Sequence, residues 1–314
     1  MPLGLNKPVT DVAQQPAPHS LGPLGIADPQ EASPAAMLSI PPIARSRYFV
    51  AVGPQKTATT WLHRQLEHHP DVELPKKTKE LFFWDRNYNL GPEWLLSHFS
   101  RKGRVWGEIS PSYYDRLEAI ERLAASGLNP LVIVTLRHPV ERCWSHYLHE
   151  RKKGRAPKDF ALCCQANPAI VACSHYARLT SAWLQAFPES VLIVLMDDIR
   201  ENPGEVLQSV CSFLNVKQLL PGAVLDEVVN QATLARNSRL ARSLNRISHA
   251  LRRMRLYSLV NFCRALLGPV VYRRADSAEL VLPDEIRQQL LLEFAEDVTY
   301  VERLLRRKLP EWRR

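Results

Sequence analysis

Residues 48–66, YFVAVGPQKTATTWLHRQL, set the architecture of this chain. An apolar run enters a turn that holds one glycine, one lysine and several threonines, and a helix-forming segment follows. A strand that leads through a turn into a helix directs free backbone N–H groups toward one point, with the positive end of the helix dipole behind them. The stretch therefore predicts an anion-binding turn at the end of a buried strand.

This turn differs from the ordinary phosphate loop, G-x-x-x-x-G-K-[ST], whose second glycine lets the backbone wrap a triphosphate and whose Ser or Thr binds magnesium. Lys56 follows Gly53 by only three positions, and the second glycine is missing. The turn is therefore better matched to one or two phosphate-like groups than to three. The alternative interpretation is a capped helix that carries a surface lysine.

Apolar runs of strand length recur along the chain and are separated by segments of helix length. This alternation predicts an α/β fold, in which a parallel sheet of the phosphate-loop type is flanked by helices on both faces. Pro92, Pro139 and Pro203 each suit a first helical position, and Gly154 suits the end of the second of these helices. The four predicted strands are 48–52, 104–109, 131–136 and 191–196.

Residues 1–44 carry nine of the 24 prolines and almost no aromatic side chains, so we predict a disordered tail before a single domain over 45–314. The first forty residues lack the order of a secretory signal, and the apolar runs are far too short to span a membrane. The six cysteines show no paired spacing. We therefore expect a cytoplasmic protein without a transmembrane segment.

The formal net charge of +9 is concentrated near the C-terminus. Residues 228–275 contain ten arginines and no acidic residue, which favours an anionic partner. From residue 236 to 314 the pattern is helical, and the apolar stripe of the first helix there is Leu240, Leu244, Ile247, Leu251 and Met254. A last helix is predicted over 284–308, with the stripe Leu291, Phe294, Val298, Val301 and Leu305.

A second motif follows the third predicted strand, in LRHPVERCWSHY. Arg137 lies where that strand ends, and Ser145 lies eight residues on, inside the helix that Pro139 begins. Strand ends and the helix starts that follow them share one edge of a parallel sheet, where ligands usually bind. A guanidinium and a hydroxyl could therefore close on a second phosphate. The alternative for Arg137 is a structural ion pair.

Together the two motifs resemble those of the sulfotransferases that use 3′-phosphoadenosine 5′-phosphosulfate (PAPS). GPQKTATTWL is similar to their 5′-phosphosulfate loop, and LRHPVERCWSHYLHE is similar to their 3′-phosphate motif. The resemblance continues through KTKELFFWD and GEISPSYY and spans about residues 47–312. Among these enzymes, the chain is similar to the glycan sulfotransferases of the heparan sulfate type.

The resemblance implies a role for each matching residue. Lys56 would stabilise the charge that develops on the departing 5′-phosphate, Arg137 and Ser145 would hold the 3′-phosphate, and no metal would be needed. In the arginine-rich segment, Arg239 is the expected contact with the donor, and the alternative for this segment is a solvated amphipathic helix. The remaining donor-binding positions are Thr57, Ala58, Thr59 and Thr60.

The acceptor must lose a proton, and the resemblance places a catalytic glutamate at Glu80. Glu108 in GEISPSYY is the competing base, because it lies near a strand end on the same edge. Asp85 matches a supporting acid of some members, but Phe82 stands where several glycan enzymes carry a histidine, which weakens that match. Either glutamate could instead be the partner of a nearby lysine or arginine.

The sequence leaves three hypotheses. The first is a sulfotransferase acting on a hydroxyl, or less favourably an amine, of a carbohydrate or other biosynthetic acceptor that could be acidic. The second is a small-molecule kinase or NTPase, with Asp197 and Asp198 as magnesium ligands. The third is a non-enzymatic arginine-rich adaptor for nucleic acid or an anionic membrane. We favour the first, expect no nucleic acid, and keep membrane-surface contact through the arginines as an option.

Overall fold

The computed structural model describes residues 47–76, 78–100, 104–218, 233–253, 266–267, 270–274 and 277–314. The proline-rich tail predicted over 1–44 lies outside these residues. Within them, no helix combines the length and the apolar composition that crossing a membrane would require.

The centre of the fold is a five-stranded sheet with the order β2-β3-β1-β4-β5, and every neighbouring pair is parallel. Its four longer strands confirm the predicted runs, because strands buried on both faces need continuous apolar sequence. The remaining strand, β2, has only two residues and gave no readable pattern. The strands are β1 Arg47–Val52, β2 Val72–Glu73, β3 Val105–Ile109, β4 Leu131–Leu136 and β5 Val191–Leu195.

Helices cover both faces of the sheet, as the alternating pattern predicts. Pro139 and Pro203 each occupy the first position of a helix, where the missing N–H costs nothing. The helices are α1 Thr59–Glu67, α2 Gly91–Leu96, α3 Leu117–Ala125, α4 Pro139–Lys152, α5 Phe160–Ala166, α6 Ala169–Ala172, α7 Tyr176–Ala186, α8 Met196–Glu201, α9 Pro203–Leu214, α10 Ser238–Arg253, α11 Ser277–Leu280, α12 Asp284–Glu293 and α13 Ala295–Leu305.

Alternate residues of the central strands enter two separate cores. In β1, Val50 and Val52 face the core formed with α3, α7 and α13, whereas Phe49 and Ala51 face the core formed with α1 and α9. The period of two follows from the strand pleat. Both cores meet at the same strands, so the carboxyl edge of β1 and β4 is held rigidly from both sides.

A third core joins α4 to α5, α6 and α12. It includes the thiols of Cys143, Cys163 and Cys164, and burial raises the pKa of each of them. The cysteines of the described residues form no disulfide and are buried, so they pack as small side chains of the core. This core fixes α4 beside the sheet edge.

The C-terminal part differs from the prediction of helix alone. Two short strands, β6 Thr233–Ala235 and β7 Tyr272–Arg274, pair antiparallel and pack on α10. Because this small sheet covers Ala241 and Leu244, the buried face of α10 is rotated from the predicted stripe. Leu240 and Ile247 are 49% and 50% exposed, which corrects their assignment to that stripe. Met254 and the side chain of Leu251 lie outside the described residues.

The predicted last helix over 284–308 is two helices, α12 and α13, separated at Phe294. Phe294 packs in the core of α4, whereas Val298 and Val301 pack in a core of the sheet. In sequence, Phe294, Val298 and Val301 follow one continuous helical spacing, but their side chains pack in two different cores. The second helix ends at Leu305 because Arg306 adopts a left-handed conformation.

We expect Gly53→Ala to destabilise the protein strongly. A Cβ at Gly53 would lie 2.4 Å from the Thr135 carbonyl oxygen, and the residue has φ of +135°. The steric clash should cost about 1–3 kcal/mol in addition to the backbone strain. Denaturant unfolding measures the loss.

Gly127→Ala is the matched control for the substitution at Gly53. Gly127 also has a positive φ, +75°, but its Cβ would meet no atom within 4 Å. It should therefore show backbone strain alone. Equal losses in the two variants would contradict the close contact between the turn and β4.

Candidate active site

The turn after β1 leaves its backbone N–H groups available to a ligand. Lys56 and Ala58 both have positive φ, +80° and +66°, which is uncommon for residues with a side chain and indicates a strained turn. Ala58 is the N-cap of α1, and no side chain caps this helix or places an acid in its first turn. Since the first N–H groups of a helix have no partner within it, this end of α1 suits an anion.

The three threonines of the turn have different roles. The Thr57 hydroxyl is fully buried, lies 2.7 Å from the Thr135 hydroxyl and donates to the Pro54 carbonyl at 2.7 Å. That side chain therefore holds the turn against β4, and only its backbone N–H remains for a ligand. Thr59 is buried, whereas the Thr60 hydroxyl lies 2.9 Å from the Nζ atom of Lys79 and accepts its hydrogen bond.

Lys56 is the centre of a crowded group of cations. Burial lowers the pKa of its ammonium, and repulsion lowers it further. The repelling charges belong to Arg137, Lys152 and Lys79. Like charges gathered in a half-buried site are unfavourable until an anion neutralises them. The electrostatics of the site therefore fit a ligand with several negative charges.

Arg137 directly follows β4 and is brought beside Lys56, as the two motifs predict. Its guanidinium is 12% exposed and forms an ion pair of 2.7 Å with Glu141, one turn along α4. The alternative interpretation of Arg137 as a structural partner is thus partly correct. Its Nε atom, however, is buried and has no hydrogen-bond partner in the described structure. An unpaired buried donor of this kind points to a missing acceptor.

Ser145 lies half-buried on α4, two turns beyond the start of that helix. Lys152 lies two further turns along, and residues seven apart share a helix face. The charge of Lys56 also acts on His149, between these two positions. One face of α4 therefore runs beside the turn and carries the serine, the histidine and the lysine.

Glu80 lies on an irregular segment between β2 and α2 and is half-buried. Its carboxylate acts on two nearby ammonium groups, since its charge raises the pKa of Lys79 and of Lys153 against the effect of burial. Burial, together with the charges of Arg155 and Lys56, lowers the pKa of Lys153 to about 8. These couplings place Glu80 in the same basic site as the turn.

Glu108 cannot contact an acceptor directly, because it is fully buried in β3. Burial raises the pKa of its carboxyl to about 7, and neighbouring donors oppose this rise. Of the two carboxylates that the sequence proposes as bases, the structure therefore exposes only Glu80 to a ligand. The Asp85 side chain is only 5% exposed and pairs with Arg86 at 3.4 Å, so it is not an alternative.

A cleft of about 200 Å³ opens beside the turn, with Pro54 and Gln55 in its wall. Acidic and basic side chains both line it, so it presents a mixed surface rather than a purely basic one. Gln55 directly precedes Lys56 in the turn, so the cleft is the candidate acceptor site, although Lys56 and Glu80 are not part of its wall. The acidic, basic and histidine residues of its wall are Arg86, Asp115, Arg116, His146, Glu150 and Arg155.

The tautomer of His146 follows from its neighbour. The Nη1 atom of Arg142 lies 3.3 Å from Nδ1 of His146, and a guanidinium can only donate. Nδ1 therefore accepts, and the remaining proton is on Nε2. Burial and nearby cations lower the pKa of this imidazole to about 3, so it is a neutral donor in the cleft wall.

The start of the arginine-rich helix lies near the cationic end of α4. A Cβ on Gly154 would lie 2.4 Å from the Ser238 carbonyl oxygen, and Asn245 donates to the Lys153 carbonyl at 3.3 Å. Arg239 is exposed at this start. The structure thus brings it to the edge of the basic site, without a contact to the turn.

The kinase hypothesis loses its proposed metal ligands. Asp197 accepts a hydrogen bond of 2.8 Å from the Trp312 indole, and Asp198 pairs with Arg307 at 2.8 Å. Both carboxylates begin α8 and hold the C-terminal residues on the sheet edge. These carboxylates therefore stabilise the packing of the C-terminus and are not available as metal ligands.

The sequence interpretation missed Lys79, Lys152 and Lys153 as members of the site. Lys152 ends α4 and Lys153 follows it directly, so in sequence the two appear as a basic helix end, which is common at a helix C-terminus. The spacing of seven between Ser145 and Lys152 was the readable signal for that lysine. Lys79 gave no signal, because its position depends on the course of an irregular segment.

Comparisons with known proteins find several sulfotransferases. Human bifunctional heparan sulfate N-deacetylase/N-sulfotransferase 2 is 29% identical over 198 residues, which are 55% of this chain and 22% of that protein. Human heparan sulfate glucosamine 3-O-sulfotransferase 3B1 is 29% identical over 219 residues, covering 62% of this chain and 55% of that protein. The chain therefore spans only part of these relatives.

A crystal structure of a sulfotransferase from Alicyclobacillus acidocaldarius matches with a TM-score of 0.58 and 22% identity, over 87% of this chain and all of that one. This similarity establishes the fold alone. The sulfotransferase domain model matches residues 47–248, which include the turn, both glutamates and all of α4. The chain thus belongs to the sulfotransferase domain family.

Proposed function

We propose that this protein transfers a sulfuryl group from PAPS to a hydroxyl of a carbohydrate acceptor. The observation that carries the proposal is the uncapped start of α1 with Lys56 in front of it, surrounded by the charges of Arg137, Lys152 and Lys79. A donor with a 3′-phosphate and a 5′-phosphosulfate carries the separate negative charges that this arrangement would neutralise.

The residues present fit this donor at two points. Lys56 and the backbone N–H groups of residues 57–60 would hold the 5′ end, because they converge at the start of α1. Arg137 would hold the 3′-phosphate with its unpaired Nε, and Ser145 would add a hydroxyl from the adjacent face of α4. Arg137 must then share its guanidinium between the ligand and Glu141. The magnesium ligands of a triphosphate site are not required.

Lys56 would contribute most to the rate. When bound, PAPS supplies the sulfuryl group, and negative charge develops on the oxygen of the departing phosphate. The Lys56 ammonium and the start of α1 are fixed before the reaction and would stabilise that charge where it forms. The remaining cations of the site would raise the local concentration of the anionic donor.

Glu80 would accept the proton of the acceptor hydroxyl. It is half-buried beside Lys79 and Lys153, whose charges stabilise a carboxylate. The cleft next to the turn would hold the acceptor, and its neutral His146 would serve as a hydrogen-bond donor rather than as a second base.

A glycan acceptor is proposed because both human relatives named above act on heparan sulfate by name. An amine acceptor is the alternative, since N- and 3-O-sulfotransferases are equally similar to this chain. Arg239 at the edge of the basic site would favour acidic glycans. The cytoplasmic location and a membrane-surface contact through the arginine-rich segment stay predictions.

We expect 3′-phosphoadenosine 5′-phosphate (PAP) to stabilise the protein without a metal. At about 100-fold excess over its Kd the unfolding temperature should rise by roughly 5 °C or more. Differential scanning fluorimetry with PAP, and with ATP plus magnesium, measures this. Stabilisation by ATP and magnesium alone would instead support the kinase hypothesis. No response to either nucleotide, with salt-sensitive binding to DNA or anionic vesicles, would support the adaptor hypothesis.

Lys56→Ala should weaken PAP binding by about 10-fold to 100-fold, since a hydrogen bond to a charged group contributes about 1.5–3 kcal/mol. Without ligand, the variant should be at least as stable as the wild type, because the substitution removes repulsion from the site. Titration calorimetry and thermal unfolding test the two effects. Lys308→Ala, at a lysine that is 86% exposed, is the control. Equal affinities of both variants would refute the assigned donor site.

Glu80→Gln should lower turnover by about 100-fold to 10,000-fold, the usual contribution of a positioned base. PAP affinity should stay within about twofold, since Glu80 is not one of the groups proposed to bind the phosphates. Transfer from labelled PAPS to desulfated and partly sulfated glycan oligosaccharides measures the rate. Glu118→Gln, at an exposed position of α3, is the control. Turnover retained in the Glu80 variant would show that another group is the base.

A further inference from the structure

Glu108 is a buried carboxylate that the proposed chemistry does not use, and it collects hydrogen bonds from several directions. Its Oε2 atom accepts from the Leu81 backbone N–H at 3.2 Å and from the Ser110 hydroxyl at 2.6 Å. Its Oε1 atom accepts from the Tyr48 hydroxyl at 3.3 Å. Leu81 directly follows Glu80 in the chain. The buried carboxylate thus holds the peptide that carries the proposed base.

The same network reaches the far end of the segment 81–84. The Trp84 indole donates to the Tyr48 hydroxyl at 3.0 Å, and an indole can only donate. The proton of Tyr48 must therefore point toward Glu108, which fixes the direction of this chain of bonds. The Trp84 backbone N–H donates to the Tyr113 hydroxyl at 3.3 Å. Both ends of the segment are consequently tied to the surroundings of one carboxylate.

The segment needs such support, because it is irregular and strained. Phe82 has φ of +53°, which is rare for a bulky residue and costs energy unless the surroundings impose it. Its carbonyl accepts from the backbone N–H groups of Arg86 and Asn87 at 3.0 and 2.9 Å. The Asn87 side chain donates to the Leu81 carbonyl at 2.7 Å. Glu80 lies in no helix or strand, so these hydrogen bonds hold the segment that follows it in place.

We propose that Glu108, in its ionised form, is a positioning residue that holds Glu80 in place for proton transfer. The inference rests on the proposed function, because it assigns Glu80 as the base. It explains why a carboxylate is kept in the core of β3 within hydrogen-bond reach of the segment that carries Glu80.

The ionised form matches the geometry because the groups bonded to Glu108 are donors. A protonated carboxyl would direct its own O–H toward one of them and would have to displace that bond. Burial raises the pKa of Glu108 to about 7, so its charge changes near neutral pH. The titratable groups facing it are Tyr48 from β1 and Tyr113 after β3, and burial raises the pKa of both, so they stay neutral.

The first test is Glu108→Gln, which keeps the shape but offers one acceptor oxygen and turns an NH₂ group toward other donors. We expect kcat to fall about 10-fold to 100-fold, the effect of misplacing a catalytic group by about 1 Å. PAP affinity should stay within about twofold, because the donor site is untouched. Wild-type kcat in a folded Glu108→Gln protein would overturn the proposal.

The second test is the pH profile of kcat between about pH 5 and 9. If Glu108 only stabilised the fold, substitutions around it would not shift this profile. Ser110→Ala removes a donor to the ionised form, so the pKa of Glu108 should rise. The acidic limb of the profile should then move to higher pH by about one unit. Tyr48→Phe should shift it in the same direction, and in Glu108→Gln the limb should disappear.

Glu302→Gln is the matched control, because Glu302 is also buried and accepts a backbone N–H, that of Leu309, at 2.9 Å. It should lower the unfolding temperature without moving the acidic limb. If Glu108→Gln does not fold, an unshifted limb in both Ser110→Ala and Tyr48→Phe overturns the proposal. If the wild type binds PAP but the acidic limb does not shift in these variants, only the role of Glu108 is rejected. If the wild type does not bind PAP, the proposed function itself is rejected.

Discussion

The contact between the turn after β1 and the backbone of β4 is the constraint on which the site depends. Gly53 approaches Thr135 so closely that no side chain fits between them, and the hydroxyls of Thr57 and Thr135 meet at 2.7 Å. This contact forces the chain through two residues with positive φ before α1 begins. The free N–H groups of α1 and the end of β4 consequently lie side by side.

The site is organised by repulsion as much as by attraction. Lysines from the turn, from the irregular segment and from α4 are held near Arg137 by a framework whose stability comes from the cores on the two sides of the sheet. Burial lowers the pKa of Lys56 and of Lys153 and that of the nearby histidines, and repulsion among the cations lowers these pKa values further. Binding of an anion relieves this repulsion, so part of the binding free energy is stored in the folded protein.

The sheet, the turn and the proximity of Lys56 to Arg137 could be predicted from the sequence. Each depends on a local pattern and on the rule that the ends of parallel strands share one edge of the sheet. It did not show which glutamate reaches the site, since Glu80 and Glu108 are both close to the edge. Their difference is burial, which depends on how the irregular segment folds over β3. The role of Thr57 and the small sheet beside α10 were missed for the same reason, because both depend on contacts distant in sequence.

The separation of α12 from α13 at Phe294 has a consequence for how the chain can vary. In one continuous helix, adding or deleting a residue would rotate every later side chain by about 100° and turn the apolar face away from its core. The break confines such a rotation to α12. Lengthening or shortening α12, which packs beside α4, would thus leave the register of α13, and with it the packing of the C-terminus on the sheet, unchanged.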